Sequence, residues 1–151
     1  MDSLVGVATC TIDSYNLVRI LSAQGMGWEA KKYADEVWTE GMDGRLTKGD
    51  GRHRINPQDG YGTGGCLGGK KYMLSLTLNA PEGAFNRQDQ WLFEGRSIDD
   101  LWFPFHANQK FIGMEQVPGS TFACFDVVKN PSIEKDMDRF KEHLEKLWSR
   151  I

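Results

Sequence analysis

One segment narrows the choice of folds more than any other: Lys71–Leu78, in which Tyr72, Leu74, Leu76 and Leu78 alternate with Met73, Ser75 and Thr77. Alternation with a period of two predicts a strand. The glycine-rich run YGTGGCLGG leads into it from Tyr61, and a polar turn, Asn79-Ala80-Pro81, follows it. In alternating α/β proteins, ligands sit in the crevice where loops leave the carboxyl ends of the strands. The turn after Leu78 is therefore a candidate binding edge.

The remaining elements are read around that strand. Leu4–Ile12 is apolar and β-branched, which predicts a buried strand. Asp13 or Ser14 is placed to cap a short helix over Tyr15–Ala23. Helical spacing of Ala30, Ala34, Val37 and Trp38 predicts a helix over Trp28–Thr39, with Gly41 as its stop. Ser97 and Asp100 have the spacing of a helix start, Pro104 limits any helix through that point, and Phe105–Ile112 makes a short helix closed by Gly113. Thr121–Val128 reads as a second buried strand. Asn130 as cap and Pro131 in the first turn open the last helix. Its apolar stripe is Ile133, Met137, Phe140, Leu144, Leu147 and Trp148, and it packs on the core. This order predicts a layered α/β arrangement in one domain over residues 1–151.

Composition matters where it excludes. A net charge of −3 argues against a general nucleic-acid binder, because a phosphate backbone demands a basic surface. No apolar run is long enough for a membrane span, and the first residues lack the basic flank of a signal peptide. Cys10, Cys66 and Cys124 are unpaired in spacing, so the chain reads as cytoplasmic. The residues between Gly41 and Gly69 hold most of the chain's 17 glycines and have no sustained period, so they either carry function or are partly disordered. Arg45, Lys48, Arg52, His53 and Arg54 form a basic cluster there, either a solvated surface or an anion contact. Gly64–Lys70 satisfies G-x-x-x-x-G-K, but a lysine and a strand follow where a phosphate loop needs Ser or Thr and a helix. Its glycines are read as letting backbone approach a ligand or a neighbouring segment. His53, His106 and His143 have no partner pattern for a metal or a triad, and His143 reads as solvated. The aromatic set Trp91, Phe93, Trp102, Phe103 and Phe105 reads mostly as core, with a minority able to line a flat ring-binding pocket.

Several distinctive segments occur in order: KKYADEVWTEG at Lys31–Gly41, DGRHR, YGTGGCLGGKKYMLSLTLNAPEGAF, FPFHANQKFIGME and FACFDVVKNP. Together they resemble the modulator of drug activity B group, flavodoxin-like NADPH-quinone reductases related to DT-diaphorase. The resemblance covers Trp28 to the carboxyl terminus, and residues 1–27 diverge from it. It implies a flavodoxin-like, three-layer, doubly wound parallel sheet, a bound FAD, NAD(P)H as hydride donor, a quinone acceptor and a homodimer. By position it implies that Tyr61 contacts the flavin and that Thr77, Leu78, Asn79 and Ala80 form the loop under the ring. Leu78 stands where the family usually has an aromatic. Ahead of Trp28 the family has a strand, a phosphate loop, a helix and further strands. Here Ile12-Asp13-Ser14-Tyr15 lacks the loop pattern and Ser22–Gly27 keeps only a Met-Gly echo. The chain therefore reads as an N-terminally shortened member, its sheet incomplete on that side. The alternative is a non-catalytic domain acting through dimerisation or partner binding.

Overall fold

The computed structural model describes residues 9–12, 15–21 and 27–149. Residues 4–8 of the first expected strand, and both expected caps at Asp13 and Ser14, lie outside the described residues. The elements run β1 (Thr9–Ile12), β2 (Tyr15–Leu21), α1 (Trp28–Glu40), β3 (Lys71–Thr77), α2 (Ile98–Leu101), α3 (Phe103–Phe111), β4 (Glu115–Gln116), β5 (Phe122–Cys124) and α4 (Ile133–Trp148). β3 is the central strand. It pairs in parallel with β2 on one side, and with β4 and then β5 on the other.

One expectation needs correction here. Tyr15–Leu21 is a strand, not a helix, and it pairs along its whole length with β3, Tyr15 opposite Lys71 and Leu21 opposite Thr77. The expected parallel sheet is present in β2, β3, β4 and β5, and β1 joins its edge antiparallel to β2. An antiparallel edge strand on an otherwise parallel sheet is common in α/β proteins.

β3 is buried on both faces, from Tyr72 through Leu76. Tyr72, Leu74, Leu76 and Leu78 enter the main core with Phe85, Phe93, Trp102, Phe105 and Ile112, and Trp38 of α1 packs against it. Met73 points the other way, into a smaller cluster with Val117, Phe122 and Leu147, joined by Phe140 and Leu144. The period-two alternation thus divides apolar contacts between two helical layers, which makes the three-layer sandwich. Full burial of a leucine such as Leu74 contributes about 1.5–3 kcal/mol.

Helix ends follow local chemistry. Ser97 and Asp100 form a reciprocal capping box at the start of α2, with both backbone amides satisfied. Pro104 sits in the first turn of α3, where no amide donor is needed. Gly41 ends α1 at φ −79°, so a left-handed bend is not its role. A Cβ there would lie 2.4 Å from Leu46 Cγ, and close packing of the following loop is what requires glycine. The expected cap of the last helix moves: Ser132 precedes α4, and the Asn130 side chain bonds Asp126 instead. Strand β5 is shorter than expected because Asp126 takes φ +54° and turns the chain. Phe140, Leu144 and Leu147 of the α4 stripe pack inward, while Ile133 and Met137 at its start are exposed.

Candidate functional site

The turn that follows β3 is fixed by the chain leaving β5. The Leu78 amide donates to the Cys124 carbonyl at 2.8 Å, and the Leu78 carbonyl accepts from Val127 at 3.2 Å. Asp126 donates its amide to the Ala80 carbonyl at 3.1 Å, and the Asn79 Oδ1 accepts from the Val128 amide at 3.3 Å. Leu78 is thus committed: its side chain is in the core and both its backbone groups are paired. Thr77 and Ala80 are half-buried and Asn79 is exposed. Among the described residues the Asn79 amide nitrogen has no partner, so the turn presents one side-chain donor, a hydroxyl and a small apolar patch.

Tyr61 lies elsewhere. It is exposed, its ring centroid 6.1 Å from that of Phe111 at the end of α3. It borders a cavity of about 880 Å³ together with Tyr72, Phe103, His106 and Met114. Tyr72 is near the amino-terminal end of β3 and Thr77 at its carboxyl end, about 16 Å apart along an extended strand. Within one chain, Tyr61 and the Thr77–Ala80 turn are therefore not brought together.

The glycine-rich segment before β3 packs on the protein itself. Lys48 and Cys66 donate amides to the Gly64 and Leu46 carbonyls at 2.9 and 2.8 Å, and Thr47 bridges to Gly65. A Cβ on Gly65 would stand 2.2 Å from the Gly113 amide nitrogen, so glycine is required by a neighbouring segment. No helix follows Lys70, as expected for a loop that does not cradle phosphates. In the basic cluster, Arg45 pairs with Asp43 at 2.9 Å and Arg52 with Asp50 at 2.6 Å. All four of these side chains are solvated, and each aspartate is held below the usual carboxylate range by the hydrogen bond from its arginine.

Tyr72 and His106, at the base of this cavity, belong to a grouping that sequence reasoning missed. The Tyr72 hydroxyl lies 2.8 Å from His106 Nδ1, and His106 Nε2 lies 3.2 Å from Asp99 Oδ1. The second contact lacks hydrogen-bond alignment, since Nε2 is buried without a formed bond, so it is an electrostatic pairing at close range. Thr121 donates to the same Asp99 oxygen at 2.5 Å, and Gln116 donates to Thr121 at 3.0 Å. The imidazole beside it, opposed by burial and aided by the Thr121 hydroxyl, holds the Asp99 carboxyl below its usual range. Burial, reinforced by the Asp99 charge, pushes the Tyr72 phenol up to about 12. The three residues are 27 and 7 positions apart along the sequence (72 to 99, then 99 to 106), without a recognisable spacing. The turn from α2 into α3 sets Asp99 beside His106, and the packing of α3 against β3 adds Tyr72. His143 is also not a solvated residue: its Nε2 is 2.9 Å from the Ser120 carbonyl and its ring packs on Phe122.

The aromatic set divides. Phe93, Trp102 and Phe105 are buried, whereas Trp91 and Phe103 are exposed, and Phe103 borders the cavity. No helix among the described residues is long and apolar enough to cross a membrane.

Comparison with known proteins agrees with the architecture. An NADPH:quinone oxidoreductase, MdaB, from Haemophilus influenzae is 50% identical over 121 residues, covering 80% of this chain and 61% of that protein. An uncharacterised protein from Schizosaccharomyces pombe is 42% identical over 120 residues, covering 80% of this chain and 59% of its own length. The chain thus spans about three fifths of the curated relatives it matches. The crystal structure of a thermophilic tryptophan halogenase from Streptomycin violaceusniger superposes with a TM-score of 0.61 at 19% identity, covering 87% of this chain and 66% of that one, a likeness of fold. Residues 24–150 match the family described by its flavodoxin-like fold, and the chain belongs to that family.

Proposed function

We propose that the chain acts as an NAD(P)H-dependent quinone reductase with FAD held at the turn after β3. The observation that carries this is the 50% identity over 121 residues to an NADPH:quinone oxidoreductase. The turn fits the group: a flavin ring offers a polar edge and an apolar face, and the turn has the Asn79 amide donor, the Thr77 hydroxyl and the half-buried Ala80. Leu78 supports from below, as core. When bound, the flavin supplies hydride transfer between NAD(P)H and a quinone. The chain's own residues bind and orient: Asn79 and Thr77 offer hydrogen bonds to the ring edge, and the Asp126–Ala80 and Val127–Leu78 bonds keep the turn from moving. Tyr61, at the other end of β3, would meet a flavin held by the turn of a second copy, so a homodimer completes the pocket.

The experiment is reconstitution of the purified chain with FAD, followed by NADPH oxidation with a naphthoquinone acceptor. The expected result is a protein-bound absorbance band near about 450 nm and quinone-dependent NADPH consumption, both weakened by Asn79→Ala. No bound flavin at saturating FAD, or turnover unaffected by Asn79→Ala, refutes this assignment. A second reading is motivated by the exposed Trp28 and Tyr33 of α1. It has the chain serving as a non-catalytic domain that associates through that helix, and it fails if the FAD-loaded preparation, in any state of assembly, turns over a quinone.

A further inference from the structure

Among the described residues β5 pairs with β3 alone, so its other side is an open sheet edge. The Cys124 carbonyl accepts the Leu78 amide at 2.8 Å and therefore points towards β3. A trans peptide sets its C=O and N–H on opposite sides, so the Phe125 amide points outward. Main-chain groups alternate in direction along a strand, and Ala123 accordingly turns both its amide and its carbonyl outward, as Thr121 does its carbonyl. None of these four groups has a hydrogen-bond partner among the described residues.

Thr121, Ala123 and Phe125 line a cavity of about 390 Å³, and Ala123, only 7% exposed, is recessed in it. One wall is α4, through Arg139, Glu142 and Lys146, and the other carries Glu82, Phe85 and Ile98. A donor and an acceptor on one residue, with an acceptor two residues before and a donor two residues after, are the complement of another extended main chain. The two walls leave that edge in a groove instead of covering it.

The walls also select side chains. Residues of an added strand alternate between the two faces of the sheet. Those opposite Ala123 share its side, that of the main core, and meet Phe85 and Ile98. Those opposite Phe122 share its side and meet α4. There the Arg139 guanidinium lies 5.6 Å from the centre of the Phe122 ring. Asp136 takes one of its nitrogens at 3.1 Å, which leaves further donors free. Lys146 is 3.9 Å from Glu142, and His143 is engaged with the Ser120 carbonyl. The α4 wall thus carries two cations against one carboxylate, whereas the opposite wall carries only Glu82.

We propose that the β5 edge takes an extended acidic peptide segment of a partner protein, added as an antiparallel strand. Its apolar side chains meet Phe85 and Ile98, and its alternate carboxylates meet Arg139 and Lys146. Antiparallel addition lets one peptide residue exchange both bonds with Ala123, and it is the more stable pairing per residue. Neither Tyr61 nor any residue of the Thr77–Ala80 turn lines this groove, so the site does not rest on the reductase reading.

The test is fluorescence anisotropy of the whole chain with the fluorescein-labelled peptide Val-Glu-Val-Glu-Val at low salt. The central valine faces Ala123, so N-methylation of that valine should weaken binding about tenfold, whereas N-methylation of a glutamate, whose amide points away, should change it less than about twofold. Val-Lys-Val-Lys-Val should bind about tenfold more weakly than the acidic peptide, and Lys146→Glu, at an exposed position, should weaken the acidic peptide about three- to tenfold. Absence of binding overturns the proposal, as do equal or reversed effects of the two methylations, or an affinity unchanged in Lys146→Glu. A dimer in sedimentation that excess peptide dissociates would give the edge to a second copy and also overturns it. Quinone turnover is not read in any arm, so failure here leaves the reductase reading standing.

Discussion

Replacing Tyr72 by phenylalanine removes one oxygen atom from the core, and the consequence should depend on pH in a calculable way. Near neutrality the variant loses the hydrogen bond to His106 and leaves Nδ1 without its partner, at a cost of about 1–2 kcal/mol. The tyrosine titrates near 10.0 when unfolded and near 12 in the folded chain. A group whose folded value is raised contributes stability that is complete below the unfolded value and is lost as pH rises through the folded one. At about pH 11 the unfolded tyrosine is roughly ten-elevenths ionised and the folded one roughly one-eleventh, so the native chain has lost about 1.4 kcal/mol from this group alone. The variant has no such group to lose. The stability gap between the two proteins should therefore shrink by about 1.4 kcal/mol between pH 8 and pH 11, while every other lysine and tyrosine cancels in the difference. Urea unfolding followed by circular dichroism at several pH values measures it, with the slope checked for constancy. A gap that is flat across that interval refutes the raised phenol and, with it, the burial argument.

Two further outcomes concern stability. Gly65→Ala places a methyl against the Gly113 backbone, which cannot turn aside as a side chain can; a loss of about 1–3 kcal/mol is expected in thermal or urea unfolding, and a loss below about 0.5 kcal/mol would mean that the two segments do not touch. Ser97→Ala breaks the capping box of α2 and should cost about 1 kcal/mol, checked by the same unfolding curves, whereas Ser97→Asp should recover most of it.

The elements legible in the sequence were those whose pattern was long or locally complete. α1, β3, the capping box and α4 each carried their own period or cap, and all four formed. Tyr15–Leu21 did not, because Leu17, Val18, Ile20 and Leu21 fit either a short helix or a buried strand, and so short a segment, interrupted by Asn16 and Arg19, does not distinguish them. What decides the matter is the parallel pairing with β3, more than fifty residues later by the register Tyr15–Lys71. The cap at Asn130 failed for a similar reason: a tight turn through Asp126 captured its side chain first. The turn after β3 was legible in the sequence as a turn, and the residues after β5 that bond to it were not. Asp99, His106 and Tyr72 were invisible in sequence because their grouping arises from the turn between α2 and α3 and from the packing of α3 on β3, and no spacing encodes those events. His143 misled because helical periodicity places it on the polar side of α4, whereas the Ser120 carbonyl lies within its reach.

The close approach of Gly65 to Gly113 has a practical corollary for handling this protein. It clamps the second limb of the long glycine-rich segment to the end of α3, and the ladder from Leu46 to Cys66 clamps the first limb to the second. Between the clamps the chain narrows to a tip around Ile55, which is 98% exposed, closed at its base by the bond from the His53 amide to the Asp59 carbonyl. A peptide tag or fluorophore grafted at that tip would stand clear of the core, the cavity and the turn after β3. The segment is thus less a flap than a stalk, with a tip suited to carrying a label.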